Sequence, residues 1–121
     1  MFKFHTCGKN RIIAELIDLD YVIGETQDVL DLMVNTGSET CDRIIIYERN
    51  LDPRFFDLKT KFAGEILQKF SNYNFRLAII GDFSKFKSKS LHDFILESNR
   101  TGRIYFVDNL ELALKRLEIK C

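Results

Sequence analysis

Three short runs constrain this chain more than any other feature: Arg43-Ile-Ile-Ile-Tyr47, Phe75-Arg-Leu-Ala-Ile-Ile80 and Arg103-Ile-Tyr-Phe-Val107. Each is nearly continuous apolar sequence with β-branched residues, and each is short for a helix. That pattern belongs to a buried strand, most clearly at 43–47, where both faces must be covered. Amphipathic segments lie between and after these runs. Strands alternating with helices demand a mostly parallel sheet joined by right-handed crossovers. Upstream, Phe2–Cys7 and Arg11–Ile17 flank Gly8-Lys-Asn10 and read as a hairpin, which adds one antiparallel strand.

The helical segments follow from periodicity and end signals. Glu25–Thr36 is a helix in which Thr26 serves as the cap, Asp28 favours the positive end, and Gly37 supplies the stop. Asp52-Pro53 opens the longest helical pattern, since aspartate accepts from free N–H groups and proline at the first position loses no needed donor. Phe55, Leu58, Phe62, Ile66 and Phe70 follow at steps of three and four, with Ala63 and Leu67 widening the stripe. Gly64 interrupts this pattern at a cost of about 1 kcal/mol relative to alanine, and is expected to repay it by close approach to the sheet. Ser90–Ser98 is a helix with Leu91, Phe94 and Ile95 on one side and Gly102 near its end. The last helix starts at Asp108, with capping-box spacing to Glu111 and Leu110, Ala113, Leu114 and Leu117 on one face. The order ββαβαβαβα predicts a single α/β domain over residues 1–121, with a mixed five-stranded sheet and about four helices.

Composition narrows the functional classes. The 121 residues hold 18 basic and 18 acidic side chains, so there is no bulk attraction to nucleic acid or to an anionic membrane. The halves differ: residues 1–60 carry seven basic against eleven acidic groups and residues 61–121 the reverse, net −4 and +4. Such asymmetry reads as paired surfaces within one domain or as a steering field for self-association. Cys7, Cys41 and Cys121 are odd in number and share no ligand spacing, which argues against a disulfide framework or a zinc site. No apolar run reaches the length of a membrane span, and Met1–His5 lacks the apolar core of a secretory signal. A reduced cytoplasm is the expected location.

The stretches Phe55–Phe70, Arg76–Ser84 and Ser88–Asn99 resemble the bacterial DUF4180 family, over most of the chain after about Glu25. The resemblance implies a family without a settled function, and one that carries glycine where this chain has Lys61. Element order, together with Arg76-Leu-Ala-Ile-Ile-Gly-Asp82, is also similar to SpoIIAA-like and STAS domains, small α/β modules that regulate through protein contacts or bind small ligands. Their phosphorylatable serine has no counterpart here: the corresponding stretch is Asp57-Leu-Lys-Thr60, so phosphoregulation does not carry over to Thr60.

Loops at the carboxyl ends of parallel strands border the usual crevice of an open α/β sheet. Gly81–Ser90 is one such loop, where Asp82, Ser84, Lys85 and Ser88, with Lys87 and Lys89, precede a helix start suited to an anion. No phosphate fingerprint is present, and the same residues serve as turn formers, a helix cap and solvated lysines. Asp52–Thr60 is the second loop, with Arg54, Asp57 and Lys59; there Asp57 and Lys61 are spaced to pair on a helix. His5 and His92 have no partnered nucleophile or ligand set in sequence. These features predict a non-enzymatic regulatory or interaction module, without cofactor or metal, with Asp57, Lys59, Asp82, Ser84, Lys85 and Ser88 as the ligand- or partner-binding residues. The alternative expectation is an anionic small-molecule binder or minor enzyme using the 81–90 loop, and a third is a homodimer.

Overall fold

The computed structural model describes residues 1–8, 11–37 and 41–118. Five strands form one sheet: β1 (Phe2–Cys7), β2 (Arg11–Leu16), β3 (Cys41–Tyr47), β4 (Arg76–Ile80) and β5 (Ile104–Val107). Their order across the sheet is their order in the chain. β1 runs antiparallel to β2, as expected of the hairpin, and every later pair is parallel. Two residues of the expected hairpin turn, Lys9 and Asn10, lie outside the described residues.

The buried strands divide their side chains between two faces, as the period of two requires. Ile44, Ile46, Leu77, Ile79, Ile104 and Phe106 face one core. Helices α1 (Thr26–Asn35), α2 (Phe62–Asn72) and α3 (Lys89–Thr101) cover that face, contributing Val29 and Leu32, Ile66 and Phe70, and Phe94 and Ile95. Ile45, Ala78, Ile80, Tyr105 and Val107 face the other way, beneath Ala113 and Leu117 of α4 (Leu110–Glu118). Ile44, Ile45 and Ile46 are all fully buried, and each such side chain contributes about 1.5–3 kcal/mol of transfer free energy. Both faces of β3 are therefore covered.

Four local expectations need correction. The segment after Asp52 is not one long helix. Pro53–Phe56 and Leu58–Thr60 are single 3₁₀ turns, and α2 begins only at Phe62. Polar side chains compete for the backbone here: Asp57 accepts from Lys59 N–H at 3.1 Å, and the Thr60 hydroxyl lies 2.8 Å from the carbonyls of both Arg54 and Asp57. Lys61 then adopts φ 64°, ψ 4°, so Asp57 and Lys61 are not one helical turn apart. Gly64 is a second correction, because a Cβ there would meet nothing within 4 Å and no close approach depends on it.

The caps are the third. Glu25, not Thr26, is the residue before α1, with the Asp28 carboxylate accepting from the N–H groups of Gly24 and Glu25. Asn109, not Asp108, serves α4 by accepting from Leu112 N–H at 2.9 Å. Cysteine pairing is the fourth, because Cys7 is disulfide-bonded while Cys41 is a free, buried thiol. Spacing in sequence hid the meeting of β1 with the last helix, where Cys7 Sγ lies 3.9 Å from the Leu117 carbonyl oxygen.

Candidate functional site

Parallel order places the ends of β3, β4 and β5 along one rim of the sheet. Two loop systems rise from it. The first leaves β3 through Glu48–Asn50 and the two 3₁₀ turns; the second leaves β4 through Gly81, Asp82 and the turn Phe83–Lys85. Buried Asn50 holds the first in place. Its side-chain carbonyl accepts from Tyr47 N–H, and its amide donates to the carbonyls of Asp18 and Tyr21. A bridge between Ile23 and Leu51 extends this tie to the segment following β2.

Aromatic rings join the two systems. Phe56 of the first stacks on Phe86 of the second, with centroids 4.7 Å apart and planes at 13°. Phe83 meets Phe106 of β5 edge to face at 5.2 Å. Gly81 allows a further contact, because a Cβ at this position would lie 2.8 Å from Glu48 Cβ. Glu48 fills that space and pairs with Lys85, a cross-link between the loops.

The rim divides the expected site residues among three adjoining grooves. Asp57, Lys59 and Ser88 line one of about 580 Å³ with Phe56 and Leu58. Asp82 and Ser84 line another of about 590 Å³ with Phe83 and Asp108. Lys85 belongs to a third of about 450 Å³ with Glu48, Arg49 and Phe86. Asp57, Asp82 and Lys85 thus share a rim without converging on one pocket.

Each polar residue also has a local task. Asp82 accepts from the Ser84 hydroxyl at 2.5 Å and its N–H at 3.1 Å, which holds its carboxyl below the usual carboxylate range. Ser88 caps α3 by accepting from Leu91 N–H; the Ser90–Asp93 spacing is instead superseded by a Lys89–Asp93 pair at 3.2 Å. His92 reaches the Phe86 carbonyl oxygen at 2.5 Å and so ties α3 to the aromatic stack. Among the described residues, no group of three or more His, Cys, Asp or Glu side chains is placed to hold a metal ion.

One polar cluster was not foreseen from sequence. On the α4 face of the sheet, Glu15 of β2 is 6% exposed and bridges two neighbours. His5 Nε2 of β1 lies 2.9 Å from one carboxylate oxygen, and the Tyr47 hydroxyl of β3 donates to the other at 2.8 Å. Burial and the bond to Glu15 push the Tyr47 phenol up to about 12. Three adjacent strands are joined in this way by one carboxylate. Only the identity of their neighbours in space reveals it, since the three residues are scattered in sequence.

These observations define an α/β domain with a single sequential sheet, an aromatic-walled rim and four helices. The chain belongs to the family described as "Domain of unknown function (DUF4180)", whose model matches residues 8–117. Neither curated proteins nor solved structures give a match to it. No helix among the described residues is long and apolar enough to cross a membrane.

Proposed function

We propose that this chain is a non-enzymatic, STAS-like regulatory module, working through protein contacts at the rim formed by the ends of β3 and β4. The observation that carries this reading is the Phe56–Phe86 stack, which makes one continuous surface from two distant loops. A partner docked there meets an apolar centre flanked by Asp57 and Lys59 on one side and by Asp82, Ser84, Lys85 and Ser88 on the other. Sequential strand order supports the STAS-like assignment, because each crossover returns beside the strand just completed.

Affinity capture from a bacterial lysate, read by quantitative mass spectrometry, tests the proposal. The expected result is a partner lost on Lys59→Glu and retained on Glu111→Lys, a surface change on α4. A partner set identical for both variants would remove the rim as the working surface. The alternative, an anionic ligand at the 81–90 loop, draws support from Lys59 and Ser88 sharing a groove at the start of α3. Against it stand the pairing of Lys85 with Glu48 and the presence of Asp82 and Asp108 in the neighbouring groove. A thermal-shift panel of nucleotides, phosphates and carboxylates separates the two readings. Shifts abolished by a Lys85→Ala, Lys87→Ala double variant favour the ligand.

A further inference from the structure

The connections that leave the carboxyl ends of the strands do not all take the same side. Those after β2, β3 and β4 lead to α1, α2 and α3, which pack on one face of the sheet, whereas the connection after β5 leads to α4 on the other. Among the described elements, β4 and β5 are thus the adjacent parallel pair whose following segments part to opposite faces. Segments that part in this way leave the strand ends open between them, and ligands of open α/β sheets gather in such crevices. Register sets Ile80 beside Val107, so the two segments diverge from one level.

Between them lies the groove of about 590 Å³, walled by Phe83, Ile95 and Phe106, with the two rings edge to face. It runs on along α3 into another of about 340 Å³, which shares Phe83 and Ile95 and adds Leu96 at 69% exposure. Two carboxylates, Asp82 after β4 and Asp108 after β5, line the first groove and not the second. Neither is neutralised in place. Both Ser84 bonds to Asp82 fall on Oδ1, which leaves Oδ2 without a partner among the described residues, and the Asp108 side chain makes no hydrogen bond or ion pair there. Lys85 acts on Asp82 from outside the groove and is itself engaged by Glu48. Anions are therefore repelled. A hard metal ion is poorly served as well, since it takes six or more oxygen ligands and this wall is hydrocarbon.

We infer that the crevice between the ends of β4 and β5 binds a small organic cation, an ammonium group carried on an apolar stem. The ammonium lies between Asp82 and Asp108 and donates to their unpartnered oxygens. Its stem rests on Phe83, Ile95 and Phe106 and extends toward Leu96. Such a wall suits such a ligand, because aromatic faces attract cations and covering the stem removes apolar area from water. The site belongs to the β4–β5 end of the rim, not to the β3–β4 end, and does not depend on the protein-contact reading.

Amide correlation spectra of the isotope-labelled chain, titrated with phenethylamine, test it. Saturable shifts are expected at Gly81–Ser84 and Phe106–Asn109, with a dissociation constant of about 1 mM, ordinary for so small a ligand. Phenylpropionate, which carries a carboxylate on the same stem, is expected not to bind, and methylammonium, which lacks the stem, not to saturate. Asp82→Asn and Asp108→Asn are each expected to weaken phenethylamine about threefold, the loss usual for an exposed charge pair. Asparagine retains the oxygen that Ser84 bonds, and the dispersion of each spectrum reports that the fold is kept. Lys59→Glu, in a separate groove, is expected to bind the amine as wild type does. A lysine side chain would bring the same group from a protein. N-acetyl-lysine amide is expected to bind less tightly than phenethylamine, and the reverse order overturns the assignment to a free amine. Absence of saturable shifts, equal binding of phenylpropionate or methylammonium, or an affinity unchanged in both asparagine variants overturns the inference.

Discussion

Replacing Lys61 by glycine is expected to stabilise the protein, although it removes a side chain. Lys61 joins the second 3₁₀ turn to α2 at φ 64°, ψ 4°. In that left-handed region the Cβ of an ordinary residue crowds the following carbonyl, at a cost of about 1–2 kcal/mol. Glycine relieves the crowding but enlarges the unfolded ensemble by about 0.4–1 kcal/mol. Among the described residues no ion pair is lost with the lysine, and its N–H bond to the Leu58 carbonyl is a backbone contact that glycine retains. The balance favours glycine by about 0.5–1 kcal/mol, and for a domain of this size that raises Tm by about 2–5 °C. Urea unfolding at unchanged m-value measures the difference, with Lys61→Ala as the control that deletes the charge and keeps the Cβ. A glycine variant no more stable than the alanine variant would refute the assignment of strain to this residue.

Three further outcomes are open to measurement. Gly64→Ala is expected to stabilise by up to about 1 kcal/mol, the full helix-interior value being an upper bound because the exposed site lies in the first turn of α2, with open space beyond it; a thermal shift downward would contradict this. Gly81→Ala is expected to cost about 1–3 kcal/mol by driving Glu48 away from its place beside Lys85, and chemical denaturation with a Lys85→Ala comparison would show whether the two losses overlap. The phenol of Tyr47 is raised from 10.0 to about 12, so the native state favours its neutral form. That contribution is complete below the ordinary tyrosine range and is lost as pH rises through the raised value. Tyrosinate absorbance of wild type minus Tyr47→Phe should show the transition near pH 12 rather than pH 10.

Strands were the most legible part of the fold, since Ile44–Ile46, Leu77–Ile80 and Ile104–Val107 have no polar residue to turn toward water. The segment from Asp52 to Phe70 misled because two 3₁₀ turns followed by a helix keep apolar residues at steps of three and four. What separates the cases is the local bonding of Asp57 and Thr60, together with one left-handed residue. The cap positions slipped by one residue at Thr26 and Asp108, where neighbouring polar residues offered equal chemistry. Position along the rim was legible from the strand-helix order alone. The division of Asp57, Asp82 and Lys85 among three grooves was not, because it depends on how Phe56, Phe83 and Phe86 meet. Glu15 and Asn50 escaped notice for a related reason: their tasks are defined by groups that only folding brings near.

Chain order and sheet order coincide in this protein, which bears on how it is assembled. Every strand after the first docks against the one synthesised just before it, so no pairing must wait for a distant segment. Growth can proceed from β1 toward β5 as the polypeptide emerges, with each helix sealing the newest strand on one side. α4 is the exception, arriving last to shield the opposite side of several strands at once. Until it docks, Ile45, Ala78 and Ile80 remain open to solvent, and the nascent sheet is then most exposed to mispairing.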